Sequence, residues 1–206
     1  MSLREMKVVG ITGGIGSGKT LVGSVFSSLG IPVFNADEQA KSIYENHPEL
    51  LRAIKIEFGE GVMIGEKLNR QALAQIVFTD PSALKKLNAL IHPEVTKTFN
   101  TWKLTQVSPY VMREAAIMIE SNNYQDCAHL ILVSADEEIR RSRVVKRSAL
   151  SENEVGMRMK NQMTDDQRRS FCDFEIRNSG DELILPQIAE IHTIIMDEMH
   201  SLQLPL

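Results

Sequence analysis

Cysteine is scarce. There are two in 206 residues, Cys127 and Cys172, far apart and without C-x-x-C spacing. That pattern argues against a disulfide framework or a cysteine zinc site and for reduced, buried thiols in a cytoplasmic protein. No run is long and apolar enough to predict a transmembrane helix, and the start of the chain lacks a signal-peptide pattern. Internal repeats and low-complexity linkers are absent. The net charge is only −4, so the surface is not built to coat nucleic acid, and anion binding must come from local clusters. "MSLRE" at the start reads as an extension. The rest, 43% hydrophobic and 24% charged, is ordinary for a globular chain with room for one core and a small appended domain.

Glycine, by contrast, is concentrated in one place. "ITGGIGSGKT", residues 11–20, follows the apolar run "KVVG". Gly13, Gly18, Lys19 and Thr20 fit G-x-x-x-x-G-K-S/T, the phosphate-binding P-loop. Val8, Val9 and Ile11 read as a buried strand. The segment from Thr20 to Leu29 reads as a helix with Leu21, Val25 and Leu29 on one face. Strand, glycine loop and helix is the arrangement that makes the match meaningful. Backbone N–H groups turned inward, with the helix N-terminus behind them, form a polyphosphate cradle. The expected nucleotide contacts run through Gly14, Ile15, Gly16, Ser17, Gly18, Lys19, Thr20 and Leu21. Lys19 is to reach the β- and γ-phosphates and the Thr20 hydroxyl is to coordinate Mg²⁺.

Further along, "IPVF" predicts a second strand, and residues 38–106 read as mostly helical. Asp80-Pro81 marks one helix start, and Pro93 is read as opening another. "PYVMREAAIMI" (109–119) and "AHLILVSA" (128–135) predict strands; "DEEIRRSRVVKR" predicts a basic helix. Ser151 with Glu154 is a capping box, "FEIRNSG" a last strand and turn, and a closing helix is entered near Pro186. The expected fold is α/β: a P-loop NTPase-type parallel sheet flanked by helices, with a helical substrate-binding insert and a helical lid. The core takes residues 6–37 and 107–206, the lid about 140–170 within it, and the insert 38–106.

Residues at the C-terminal ends of parallel strands face one crevice. That nominates Asp37, Glu120, the basic helix after residue 135, and Asn178. Asp37 is suited to orient and deprotonate an acceptor hydroxyl, or equally to cap a helix. Within the basic helix, Arg143 and Arg147 share a face and are the candidates to close over phosphates, while Arg140 and Arg141 read as solvated. Arg168 and Arg169 are a second pair for the same lid. Asn178 and Gly180 form either an adenine-contacting loop or an ordinary turn. The guanine-reading N-K-x-D of a GTPase switch is absent, and neither late strand ends in the aspartate of a motor ATPase. A small-molecule kinase fits better, because it needs an acceptor-binding insert and a basic lid that excludes water.

Together these motifs resemble the dephospho-CoA kinase family over nearly the whole chain. The family's "TGGIGSGKS" is similar to residues 12–20. Its V-I-D-A-D element looks like "VFNAD", which puts the base on Asp37, and its LN-x-L-x-HP is "LNALIHP", containing His92. "SPYVMREAAIMIE" is similar to the SPYV element and P-L-L-x-E stretch. The spaced lid arginines fall on Arg143 and Arg147, and the tail motif on Gln162, Arg168, Asp173, Asn178 and Gly180. Asn35, Ala116, Ser134 and Ser148 depart from the family pattern. The resemblance implies ATP and Mg²⁺ as nucleotide and metal, and dephospho-CoA as the acceptor, phosphorylated on its ribose 3′-hydroxyl to give CoA and ADP. It also implies catalytic roles for Asp37, Lys19 and Arg143, nucleotide contacts from Arg147 and Asn178, and acceptor contacts from Asp37 and His92. No nucleic-acid or membrane partner is expected, a homo-oligomer is left open, and another P-loop small-molecule kinase is the alternative reading.

Overall fold

The structure, a computed structural model, describes residues 6–148 and 150–201; the N-terminal extension read in residues 1–5 lies outside them. It divides into two compact units, one taking the chain up to Asn35 and again from Thr105, the other Ala36–Leu104.

The first unit begins with β1 (Lys7–Thr12), α1 (Lys19–Ser28) and β2 (Val33–Asn35). The second holds α2 (Ala36–Asn46), α3 (Pro48–Phe58), β3 (Met63–Ile64), β4 (Lys67–Leu68), α4 (Arg70–Thr79) and α5 (Pro81–Leu104). The first unit then resumes with β5 (Tyr110–Glu114), β6 (His129–Ser134), α6 (Glu137–Arg147), α7 (Glu152–Lys160), α8 (Asp165–Arg169), β7 (Phe174–Arg177) and α9 (Ile184–Ser201).

In the first unit five strands form a parallel sheet in the order β2-β5-β1-β6-β7. Val8, Val9 and Ile11 of β1 and Val111 and Met112 of β5 are all buried. Such near-continuous apolar runs are what a sheet covered on both faces requires. α1 packs through Val22 and Phe26, one turn apart, with Gly23 between them. The expected face of Leu21, Val25 and Leu29 is not the buried one: Leu21 and Leu29 are about half exposed, at 51% and 47%. The loop sets the helix's rotation, because Lys19 must point inward, and that turns Val22 and Phe26 to the core with it.

β5 is shorter than expected. It stops at Glu114, and residues 115–126 run through turns, with Asn122 at φ 60°. The expected capping box is present: Glu154 N–H donates to Ser151 Oγ, and Ser151 N–H to the Glu154 carboxylate. The two thiols are half-buried rather than buried, and burial pushes Cys172 up to about 12, which keeps it protonated.

The second unit is helical apart from the β3–β4 hairpin, which turns at Gly65 and which the apolar spacing did not reveal. Asp80 caps α5 by accepting from Ser82 N–H at 2.8 Å, with Pro81 as the first helical residue. Pro93 opens no new helix: α5 runs unbroken through it. An interior proline forfeits a backbone hydrogen bond and strains the turn before it, a cost of about 3 kcal/mol. Ala83, Leu87 and Ile91, buried at four-residue spacing, offset that by keeping one face in the core.

One buried polar pair ties α9 to the sheet. Tyr110 Oη lies 2.8 Å from His192 Nδ1, and burial raises the phenol's pKa, so the hydroxyl keeps its proton. Burial also lowers the His192 pKa. The native state then binds fewer protons than the unfolded one below the free-histidine pKa of about 6.5. His192 should therefore stabilise the fold fully above that pH and progressively less as acid brings the solution down through its native pKa. Thermal melts from pH 7 to pH 5 should show a smaller loss of Tm for His192→Gln than for wild type; parallel curves would remove this histidine as a cause.

Candidate active site

Register places the loop's neighbours. Ile11 stands opposite Glu114 of β5, Thr12 opposite Leu132 of β6, and Asn35 of β2 opposite Glu114. Residues 13–18 thus leave β1 at the C-terminal edge of the sheet and lead into α1. Gly18, just before α1, has φ 100° and lies against Asn178, whose Nδ2 would stand 2.2 Å from any Cβ there. Both facts require glycine. Asn178 Nδ2 donates to Ser17 O at 2.8 Å, so this residue braces the loop, whereas the sequence left it as either an adenine contact or a turn.

Lys19 is buried, and its ammonium donates to the carbonyls of Gly13 at 2.8 Å and Gly14 at 3.2 Å. The Thr20 hydroxyl donates to Glu114 Oε1 at 2.8 Å, and Asn35 Nδ2 donates to Glu114 Oε2 at 3.2 Å. Glu114 itself is 3% exposed. Sequence reasoning missed it, because "VMREAAIMI" reads as one strand whose charged pair lies mid-run. The signal was available: a parallel strand that ends at a carboxylate beside a P-loop.

The other wall of the loop comes from α6, α7 and α8. Ile15 N–H donates to Gln162 Oε1 at 2.9 Å, across 147 positions of sequence. Gln162 sits in the turn between α7 and α8; next to it, Met163 N–H donates to Glu120 Oε1 at 3.0 Å. Arg168 is fully buried and paired with Glu120 at 3.0 Å and Asp165 at 3.3 Å. Arg140 is buried too, against Gly14. This corrects its reading as a solvated residue. Arg141 is partly exposed, in an i,i+4 pair with Glu137. Arg143 is half-buried, with a buried Nη1 that has no hydrogen-bond partner among the described residues, while Arg147 is exposed. Arg169 faces away, donating to Glu175 and Asp166; its hydrogen bonds hold Glu175 down to about 2.

The geometry of the first unit is therefore a glycine loop with an inward lysine, a buried carboxylate beside the loop's threonine, and guanidinium groups on the opposite side. The family profile for dephospho-CoA kinase matches residues 7–183. The chain belongs to the dephospho-CoA kinase family. It is a phosphotransferase with dephospho-CoA kinase activity. A dephospho-CoA kinase from Bacteroides fragilis is 32% identical over 195 residues, 94% of this chain and 95% of that protein. One from Thermus thermophilus is 37% identical over 173 residues, 84% of this chain and 83% of its own. A crystal structure from Thermus thermophilus superposes with a TM-score of 0.80 at 34% identity, covering 95% of this chain and 98% of the other.

Two positions of this kinase fall in the second unit. Asp37 is in the first turn of α2, two residues beyond Asn35. His92 lies within α5, one residue before Pro93, and burial lowers its pKa. Leu21, expected at the nucleotide, lies on the exposed side of α1. Among the described residues no helix is long and apolar enough to cross a membrane.

The bond from Ile15 to Gln162 ties the loop to the turn after α7, and a hydrogen bond of this kind contributes about 1 kcal/mol. Gln162→Ala should speed hydrogen exchange at the Ile15 amide by roughly fivefold, in line with that energy. The check is exchange mass spectrometry on peptides spanning residues 11–20. Unchanged protection there would mean the contact does not restrain the loop.

Proposed function

We propose that the chain transfers the γ-phosphoryl group of ATP to the ribose 3′-hydroxyl of dephospho-CoA, in the cytoplasm, through the groups gathered around residues 13–20. The observation that carries this is the Lys19 ammonium, buried and held on two loop carbonyls at the mouth of the glycine loop. A buried cation in a nest of amides is a site made for polyphosphate.

Phosphoryl transfer asks the protein for position and charge more than for covalent chemistry. Lys19 exchanges a carbonyl for phosphate oxygens. The loop amides hold the β- and γ-phosphates, and Asn178 keeps the loop's shape by fixing the Ser17 carbonyl. The residues present fit Mg²⁺: the Thr20 hydroxyl and the buried Glu114 carboxylate, 2.8 Å apart, are hard oxygen donors. Because Thr20 gives its proton to Glu114, the lone pairs of its oxygen are free for the metal. Bound there, Mg²⁺ would neutralise charge on the phosphate oxygens. Arg143 and Arg147 are the lid cations that the family pattern supplies, and the Nη1 of Arg143, without a hydrogen-bond partner among the described residues, supports a role for it.

Asp37 is the proposed base. It directly follows the strand whose last residue, Asn35, is bound to Glu114, and a carboxylate is the group that can align an acceptor hydroxyl and take its proton. The helical unit Ala36–Leu104 is the proposed acceptor-binding part, with His92 contributing as a neutral imidazole at neutral pH, since burial lowers its pKa.

ADP release measured across dephospho-CoA, AMP, adenosine and shikimate tests the acceptor. Dephospho-CoA should be favoured strongly, and equal or better turnover with another of the four would reassign the substrate. Asp37→Asn should cut kcat by roughly 10²–10⁴-fold, the range for a lost general base, while ATP still binds. Near-wild-type turnover in that variant would remove Asp37 from the chemistry.

A further inference from the structure

Arg140 looks like its neighbours in sequence and unlike them in structure. Its side chain is 11% exposed, against 38% for Arg141. It is turned toward the P-loop so closely that a Cβ on Gly14 would stand 1.8 Å from its Nη1. The Gly16 position is closed in the same way by the Arg140 carbonyl and the Val144 side chain, so α6 is seated on the loop through this turn.

Burying a guanidinium costs several kcal/mol unless it is well paired. Arg140 is poorly paired. Its contact with opposite charge is Asp165 Oδ1, at 3.9 Å, too long for a hydrogen bond. That same oxygen is nearer to Arg168, at 3.3 Å, and Arg168 has Glu120 as well. The Arg140 Nε is buried and has no hydrogen-bond partner among the described residues. The fold therefore holds a buried cation beside Gly14 whose charge the protein's own carboxylates leave largely uncompensated.

The missing partner should be an anion, and the location says which one. Gly14 O is one of the two carbonyls that hold the Lys19 ammonium. Lysine at this place in a P-loop serves the β- and γ-phosphates. We propose that Arg140 binds the terminal phosphoryl group of the nucleotide and stays on it during transfer, in addition to the lid arginines that the family pattern marks. This rests on the kinase reading above. It makes Arg140 a catalytic residue, because its guanidinium touches the reacting phosphoryl group.

Three variants test it: Arg140→Met, which keeps length and removes charge; Arg140→Lys, which keeps charge and removes the planar fork; and Arg141→Met as a control. The readouts are affinities for ATP, ADP and AMP by calorimetry, and kcat with dephospho-CoA. Arg140→Met should lower kcat by roughly 10³-fold, the lower end for an arginine on a transferring phosphoryl. Its affinity should fall most for ATP and least for AMP. Arg140→Lys should recover part of both losses, and if Arg140→Met does not fold, the Lys variant carries the test by the same ordering. Arg141→Met should match wild type. A kcat within a few-fold of wild type, or an equal loss of affinity for all three nucleotides, would overturn the proposal. The affinity ordering needs no acceptor. It therefore stands even if dephospho-CoA fails as the substrate, and if dephospho-CoA is turned over at full rate by the Met variant, only the role of Arg140 falls.

Discussion

A glycine loop that admits a lysine ammonium must supply oxygens to hold it, and that requirement organises the loop's surroundings in the first unit. A loop that aims N–H groups inward collects like-signed dipoles, and a lysine brought in among them adds a full charge. The chain answers with internal oxygens. Lys19 takes the carbonyls of Gly13 and Gly14, Ser17 N–H takes Gly14 O at 3.1 Å, and Ile15 N–H takes Gln162 Oε1. These bonds tie the loop to the start of α1 and to the turn after α7, while β1 is held by its pairing with β5 and β6.

The distribution of charge follows from the same constraint. On one side the loop needs an anion next to Thr20, and Glu114 supplies it from the end of β5. On the other side stand the buried guanidinium groups of Arg140 on α6 and Arg168 on α8. Cations in that number cannot be buried bare, so Glu120 and Asp165 are drawn in to share them. The carboxylates are enough for Arg168 and short for Arg140. An imbalance of this sort is the basis of the role proposed for Arg140.

How much of this was legible depended on whether a residue's role was written in local spacing. The P-loop was, since its glycines, lysine and threonine are fixed by contiguous geometry, and so was the parallel sheet, but not its strand order, and Glu120, expected at a strand end, lies in the turns after β5. Glu114 was not. The boundary of β5 is set by pairing with β1, and nothing within "MREAAIMI" announces that the strand stops there. Arg140 was hidden for a related reason. A run of basic residues on a helix has the same pattern whichever face is turned inward, and the closeness of Arg140 to Gly14 and Gly16 is seen only in the folded chain. Pro93 misled in the opposite direction: a strong local signal for a helix start was overridden by the buried row Ala83, Leu87 and Ile91.

The departure at Asn35 can be understood in these terms. Its amide donates to Glu114 Oε2 at 3.2 Å, on a carboxylate that is buried and already accepts from Thr20. An aspartate in that position would set two anions within hydrogen-bond distance in a poorly solvated place. One of them would have to take up a proton or wait for a cation. Asparagine removes that repulsion and adds a donor that holds the Glu114 carboxylate in place. In this chain the Asn35 amide braces the Glu114 carboxylate beside the Thr20 hydroxyl, and Asp37 is the one carboxylate that the N-A-D element retains.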